Sequence, residues 1–134
     1  PSMATPAEGA LMSPSDLLFL LGRYASTGAA VGSPHALPGR APTLAGLPPA
    51  VIAIPGHDLL RSSEEAYARR LQDEGVPVIV QLDLDLVHAW VEFAQIVPTA
   101  DRAFTRLTGH LNGMIADVSE RRLRLGEGVA VLRR

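Results

Sequence analysis

The sequence predicts an α/β chain built on one parallel β-α-β unit with flanking helices, and three observations carry that reading. Ala50 to Pro55 is an unbroken apolar run containing Val51, Ile52 and Ile54, set behind Pro48-Pro49. Such a run suits a strand buried on both faces of a parallel sheet. Ser62-Ser63-Glu64-Glu65 then opens a helix that runs to about Glu74, with Glu64, Tyr67, Ala68 and Leu71 on one face and Gly75 as a left-handed stop. Pro77 to Asp83 supplies a second apolar run. A strand, a helix and a strand within about 35 residues make a right-handed crossover unit whose two strands are parallel and adjacent.

The remaining elements flank this unit. Thr5-Pro6-Ala7-Glu8 carries a small capping signal. Ser13-Pro14-Ser15-Asp16 opens a stronger helix, in which Leu17, Leu18, Leu20, Leu21 and Tyr24 recur at helical spacing before Ser26-Thr27-Gly28 ends the pattern. Gly28 to Pro49 has no period and reads as a long connection supported by other elements. A last helix begins at Thr99 behind Pro98 and places Ala100, Ala103, Phe104, Leu107, Leu111, Met114 and Ile115 on one stripe. Residues 1–118 form the folded part in this reading, and 119–134 a basic tail. Two parallel strands need cover on both faces and leave two edges open, so the chain is expected to self-associate or to pair with further sheet.

Composition removes several classes of function. The 134 residues carry 12 basic and 14 acidic groups, a formal charge of -2, with no broad basic stretch for a phosphate backbone. Nucleic acid is therefore not an expected partner. Five arginines fall at Arg121, Arg122, Arg124, Arg133 and Arg134, which suits a solvated tail. With no cysteine there is no disulfide, thiolate ligand or cysteine nucleophile. With no lysine there is no Schiff-base chemistry. No apolar stretch approaches the roughly 20 residues of a membrane span. The absence of a leader after Pro1 suits a cytoplasmic setting or a chain whose start lies further upstream.

Loops at the carboxyl ends of parallel strands open on one sheet edge, where ligands bind in open α/β folds. Asp58 follows the first strand and His88 the second, 30 residues later. Strands about 4.8 Å apart bring two such side chains within hydrogen-bonding reach. A carboxylate beside an imidazole fixes its tautomer and stabilises its protonated form, the supporting half of a serine-hydrolase triad. Asp58 in Gly56-His57-Asp58 equally suits a turn held by its own side chain, and His88 a half-buried histidine packed on Trp90. His35, His57 and His110 lack ligand spacing, and neither metal nor cofactor is implied.

Several unusual residues coincide between Gly46 and His88. Gly46-Leu47-Pro48-Pro49-Ala50, the apolar run, Asp58-Leu59-Leu60-Arg61, Glu65-Ala66-Tyr67-Ala68, Leu71, Gly75-Val76-Pro77-Val78 and His88 resemble, in order and spacing, the carboxyl-terminal third of hormone-sensitive-lipase-like carboxylesterases. Tyr24 and Ser33-Pro34 resemble the segment just before it, so the likeness runs from about residue 1 to 116. It implies the carboxyl-terminal portion of an α/β-hydrolase fold, with Asp58 as the catalytic acid and His88 as the general base. The family's Gly-x-Ser-x-Gly elbow and His-Gly-Gly oxyanion loop do not occur in these residues.

Leu59, Ser62, Asp85 and Ala89 stand where the family usually has proline, an acid, glycine and glycine. Asp85 is expected to supply the left-handed backbone of its missing glycine. Trp90, in place of phenylalanine, is expected to wall a substrate pocket. The implied activity is hydrolysis of small carboxylic esters by a whole enzyme, in which an amino-terminal portion supplies the serine and this chain alone is inactive. A non-catalytic remnant that binds another protein through its open sheet edge is the alternative.

Overall fold

In the computed structural model, residues 11–25 and 33–124 are described. The signals at Thr5–Glu8 and Ser26–Gly28, and the last two arginines, lie outside them. The order is helix α1 (Pro14–Ala25), a 3-10 turn (Pro38–Arg40), strand β1 (Ala50–His57), helix α2 (Arg61–Asp73), strand β2 (Val78–Val87), a 3-10 turn (Trp90–Phe93) and helix α3 (Pro98–Arg124). The two strands pair in parallel, from Ala50 opposite Val78 to Pro55 opposite Asp83. The expected β-α-β unit with flanking helices is therefore the fold observed.

Alternation along the strands sends side chains to opposite faces. Ala50, Ile52 and Val78 pack with Leu44, Leu71 and Val76 beneath α2. Ala53 packs on the other side with Leu86, Trp90, Ala100 and Ala103 beneath α3. The sheet is thus sandwiched between two helices, each with its own small core. Gln81 ties α3 to β2, donating to the Ala103 carbonyl at 3.0 Å and to Asp83 Oδ2 at 2.6 Å, while Asp83 also accepts from Arg106.

Local chemistry sets the ends of these elements. Ser13 and Asp16 cap α1 reciprocally, the Asp16 amide donating to Ser13 Oγ at 3.2 Å and the Ser13 amide to Asp16 Oδ2 at 2.9 Å. Helix α2 ends as expected, with Gly75 at φ +79° and the Val76 amide bonded to the Leu71 carbonyl at 2.9 Å. The connection before β1 is stapled to that end. Glu74 accepts from Thr43 Oγ1 at 2.7 Å and from the amides of Leu44 and Ala45, while Arg70 pairs with Glu74 at 3.0 Å and reaches the Gly39 and Ala41 carbonyls. These bonds support the long irregular segment.

Three expectations are corrected. Strand β2 continues past Asp83 to Val87, because a bulge lets residues 84–86 stand opposite Gly56 alone before pairing resumes at His57 and Val87. Helix α2 begins at Arg61, with Leu60 at its cap, and Ser63 Oγ donates to the Leu60 carbonyl at 2.6 Å. Asp58, just upstream, also anchors that end. Helix α3 starts at Pro98, where a missing amide costs nothing. It runs unbroken across residues 118 and 119. Apolar faces remain exposed at Leu18, Phe19 and Leu20 on α1, Val80, Leu82 and Leu84 on β2, and Ile115 on α3.

Candidate active site

The bulge positions the site. Beyond Pro55 and Asp83 the pairing offset grows by two residues, so the turn after β1 meets the turn after β2. Gly56 permits the approach, because a Cβ there would lie 2.0 Å from the Leu84 carbonyl oxygen. Only a residue without a side chain fits beneath that backbone.

Asp58 is buried in the turn that follows, and its two oxygens do different things. Oδ1 accepts from the Leu60 amide at 2.8 Å, while the Asp58 carbonyl accepts from the Arg61 amide at 3.3 Å. Oδ2 lies 2.8 Å from Nδ1 of His88. The turn residue and the imidazole partner suggested by the sequence are one side chain serving both uses. A carboxylate at Nδ1 holds the ring proton there and leaves Nε2 as the acceptor. The Asp58 side chain is 1% exposed and that of His88 36%, so the pair is enclosed on the acid's side and open on the base's. That asymmetry suits an imidazole that must meet a further group.

His88 is held from its far side. Ala89 adopts a left-handed backbone, φ 57° and ψ 22°, and leads into the Trp90–Phe93 turn. The left-handed position is therefore 89 and not the expected Asp85, because the bulge keeps residue 85 within the strand. Trp90 is 3% exposed and packs against Leu86, Ala100 and Ala103. Expected to wall a pocket, it instead anchors the turn in the core, buried beneath α3 among the described residues.

Sequence reasoning gave Glu64 no role beyond the helix signal, yet it belongs to this corner. Its carboxyl is raised to about 6, chiefly because burial disfavours its charge and also because Asp58 is near, with His88 acting in the opposite direction. Its Oε2 is enclosed and has no hydrogen-bond partner among the described residues. Arg61, on the same turn, is engaged by Glu65 at 2.8 Å. Pattern alone could not flag Glu64, because its environment comes from the β1 and β2 loops.

A groove of about 360 Å³ lies at the other end of the sheet, lined by residues including Pro49, Pro77, Ile79, His110 and Met114, and it includes neither Asp58 nor His88. No cluster of His, Asp and Glu among the described residues could hold a metal ion. No helix among them is long and apolar enough to cross a membrane.

A family described as the alpha/beta hydrolase fold matches residues 1–92. The chain belongs to this α/β-hydrolase family. Esterase LipI of Mycobacterium tuberculosis is 48% identical over 69 residues, 52% of this chain and 22% of that protein. Carboxylesterase NlhH of the same species is 44% identical over 69 residues, 52% of this chain and 21% of the relative. The chain therefore spans about a fifth of the length of these curated relatives. The crystal structure of DphMB1 superposes with a TM-score of 0.77 at 31% identity, over 84% of this chain and 38% of that one. The family match takes in the stretch from Gly46 to His88, and Asp58 and His88 both lie within it.

Proposed function

We propose that this chain supplies the acid and base of a serine carboxylesterase acting on small carboxylic esters. The observation that carries the reading is the 2.8 Å contact between Asp58 Oδ2 and His88 Nδ1 at the carboxyl ends of adjacent parallel strands. His88 takes the proton of a serine hydroxyl as the serine attacks the ester carbonyl, then returns it to the leaving alcohol. Asp58 keeps the ring in the tautomer that presents Nε2 and stabilises the imidazolium. The serine and the oxyanion donors come from an amino-terminal hydrolase portion that extends the sheet beside these strands, and without it the chain turns over no ester. Nucleophile, base and oxyanion donors act as a unit, so half of the set is not half as active.

The test is complementation. An amino-terminal hydrolase segment carrying Gly-x-Ser-x-Gly and the oxyanion loop is mixed with the chain, and release of nitrophenol from a short-chain aryl ester is followed. Hydrolysis appears in the mixture and in neither piece alone. Activity that survives His88→Ala in a properly assembled mixture removes the base from this account.

A second reading is favoured by one observation, the exposed Val80, Leu82 and Leu84 on a two-stranded sheet. An open apolar edge pairs readily with another chain. The chain then acts as an interaction module without turnover, and it self-associates when purified. Light scattering that finds a clean monomer counts against it.

A further inference from the structure

Glu64 sits one helical turn above the residue that Asp58 holds. Its amide bonds to the Leu60 carbonyl at 3.0 Å, and the Leu60 amide in turn bonds to Asp58 Oδ1 at 2.8 Å. Three loops and helix ends therefore converge: the β1 loop brings Asp58, the β2 loop brings His88, and the first turn of α2 brings Glu64, with Glu65 next to it. The cation of that turn, Arg61, is bonded to Glu65 Oε1 and directed at the Gly56 carbonyl. An enclosed carboxyl oxygen without a donor is costly as an anion. A positive charge nearby would offset that cost, and the group here that gains one during proton transfer is His88.

We propose that Glu64 is a positioning residue for His88, a second acid whose charge favours the imidazolium formed when His88 takes a proton. The proposal rests on the reading of His88 as the general base. Asp58 orients the ring through a direct bond, and Glu64 acts on its charge through space. When Glu64 is protonated the imidazolium leans on Asp58 alone. When Glu64 is ionised it adds a second negative charge, and the proton transfer becomes easier. Burial, Asp58 and Glu65 all oppose that ionisation while His88 favours it, so Glu64 changes charge at about pH 6. The esterase would accordingly gain rate in a distinct step as pH rises through that range.

Coupling between two sites is reciprocal, so the effect of His88 on Glu64 measures the effect of Glu64 on His88. The 13C resonance of the Glu64 side-chain carboxyl is followed against pH in the 134-residue chain, then in Asp58→Asn and in His88→Ala. The proposal expects a midpoint near pH 6 in the unsubstituted chain, lower in Asp58→Asn and higher in His88→Ala. A midpoint in the ordinary glutamate range, or one that neither substitution moves, overturns it. The first arm needs no substitution, so a variant that fails to fold does not rescue the idea. The 15N shifts of the His88 ring separate this failure from failure of the base itself. An Nδ1 proton held by Asp58 beside an ordinary Glu64 sinks only the positioning role, and a ring with no proton on Asp58 sinks both. In the complemented esterase, Glu64→Gln should lower kcat about fivefold above pH 7 and leave it unchanged below pH 5, the size of one partly screened charge pair.

Discussion

The two ends of helix α2 treat their carboxylates in opposite ways. At its carboxyl end, Glu74 is surrounded by donors from Thr43, Leu44, Ala45 and Arg70, and these bonds hold its carboxyl below the usual range, the Leu44 amide first among them. At its amino end, Glu64 is pushed up to about 6 by burial, with an enclosed oxygen that no described residue bonds. The contrast extends along the sheet. The edge near Glu74 is closed by a left-handed glycine, Gly75, whereas the edge near Glu64 places an alanine, Ala89, in the same backbone region. Local rules are obeyed where the chain needs only to be stable and broken where Asp58 meets His88. Such breaches concentrate at functional sites.

The sharpest way to break this comparison is Gly56→Ala. A Cβ 2.0 Å from the Leu84 carbonyl forces the two strands apart at the bulge, and the expected cost is about 3 kcal/mol or more of stability. Denaturant unfolding measures it, and the Asp58–His88 contact should be lost with it. A stability unchanged by the substitution would mean that the bulge does not set the spacing of the site.

Glu74→Gln tests the opposite edge. The lowered carboxyl contributes stability that is present above its ordinary value of 4.5 and is lost as pH falls through its folded value. The substitution should therefore lower the melting temperature at pH 7 and speed hydrogen exchange at the Leu44 and Ala45 amides, with little difference left in acid. Equal exchange in both proteins would show the staple to be ornamental.

At the site edge the sign reverses. A carboxyl raised from 4.5 to about 6 in the folded chain destabilises it as pH rises through that window. Glu64→Gln should thus raise stability above pH 7 by about 1 kcal/mol, after allowing for partial exposure, and have no effect below pH 4.5. Thermal melts across that range decide it, and a loss of stability at pH 8 would contradict the burial cost assigned to the Glu64 carboxylate. The smallest effect belongs to Ala89→Gly, which should gain about 0.5 kcal/mol by relieving a left-handed alanine while freeing the unfolded chain.

Much of this was legible in the sequence, and the parts that were not share a cause. The β-α-β unit could be read because Val51, Ile52 and Ile54, the helical spacing to Leu71 and the stop at Gly75 are local signals. Asp58 and His88 could be singled out because each follows a strand and both match a known pattern. The extension of β2, the left-handed Ala89 and the environment of Glu64 were hidden, since they depend on how segments far apart in sequence meet where the register shifts at Gly56. The staple at Glu74 was hidden for the same reason, because its partners lie some 30 residues away. Helical spacing on α1 correctly marked a helix, yet Leu18 and Phe19 are exposed, because periodicity reports an apolar face and not what covers it.

The central claim is that Asp58 and His88 act as one acid–base unit, and a double-substitution cycle in the complemented esterase tests it most directly. His88→Ala should abolish nearly all ester hydrolysis, and Asp58→Asn should lower it by up to about four orders of magnitude by releasing the ring to the wrong tautomer. The two together should be no worse than His88→Ala alone, because an acid with no base to orient has nothing left to contribute. An assembled, folded complex whose rate is untouched by either substitution, or in which the two losses multiply as independent effects, would contradict the account.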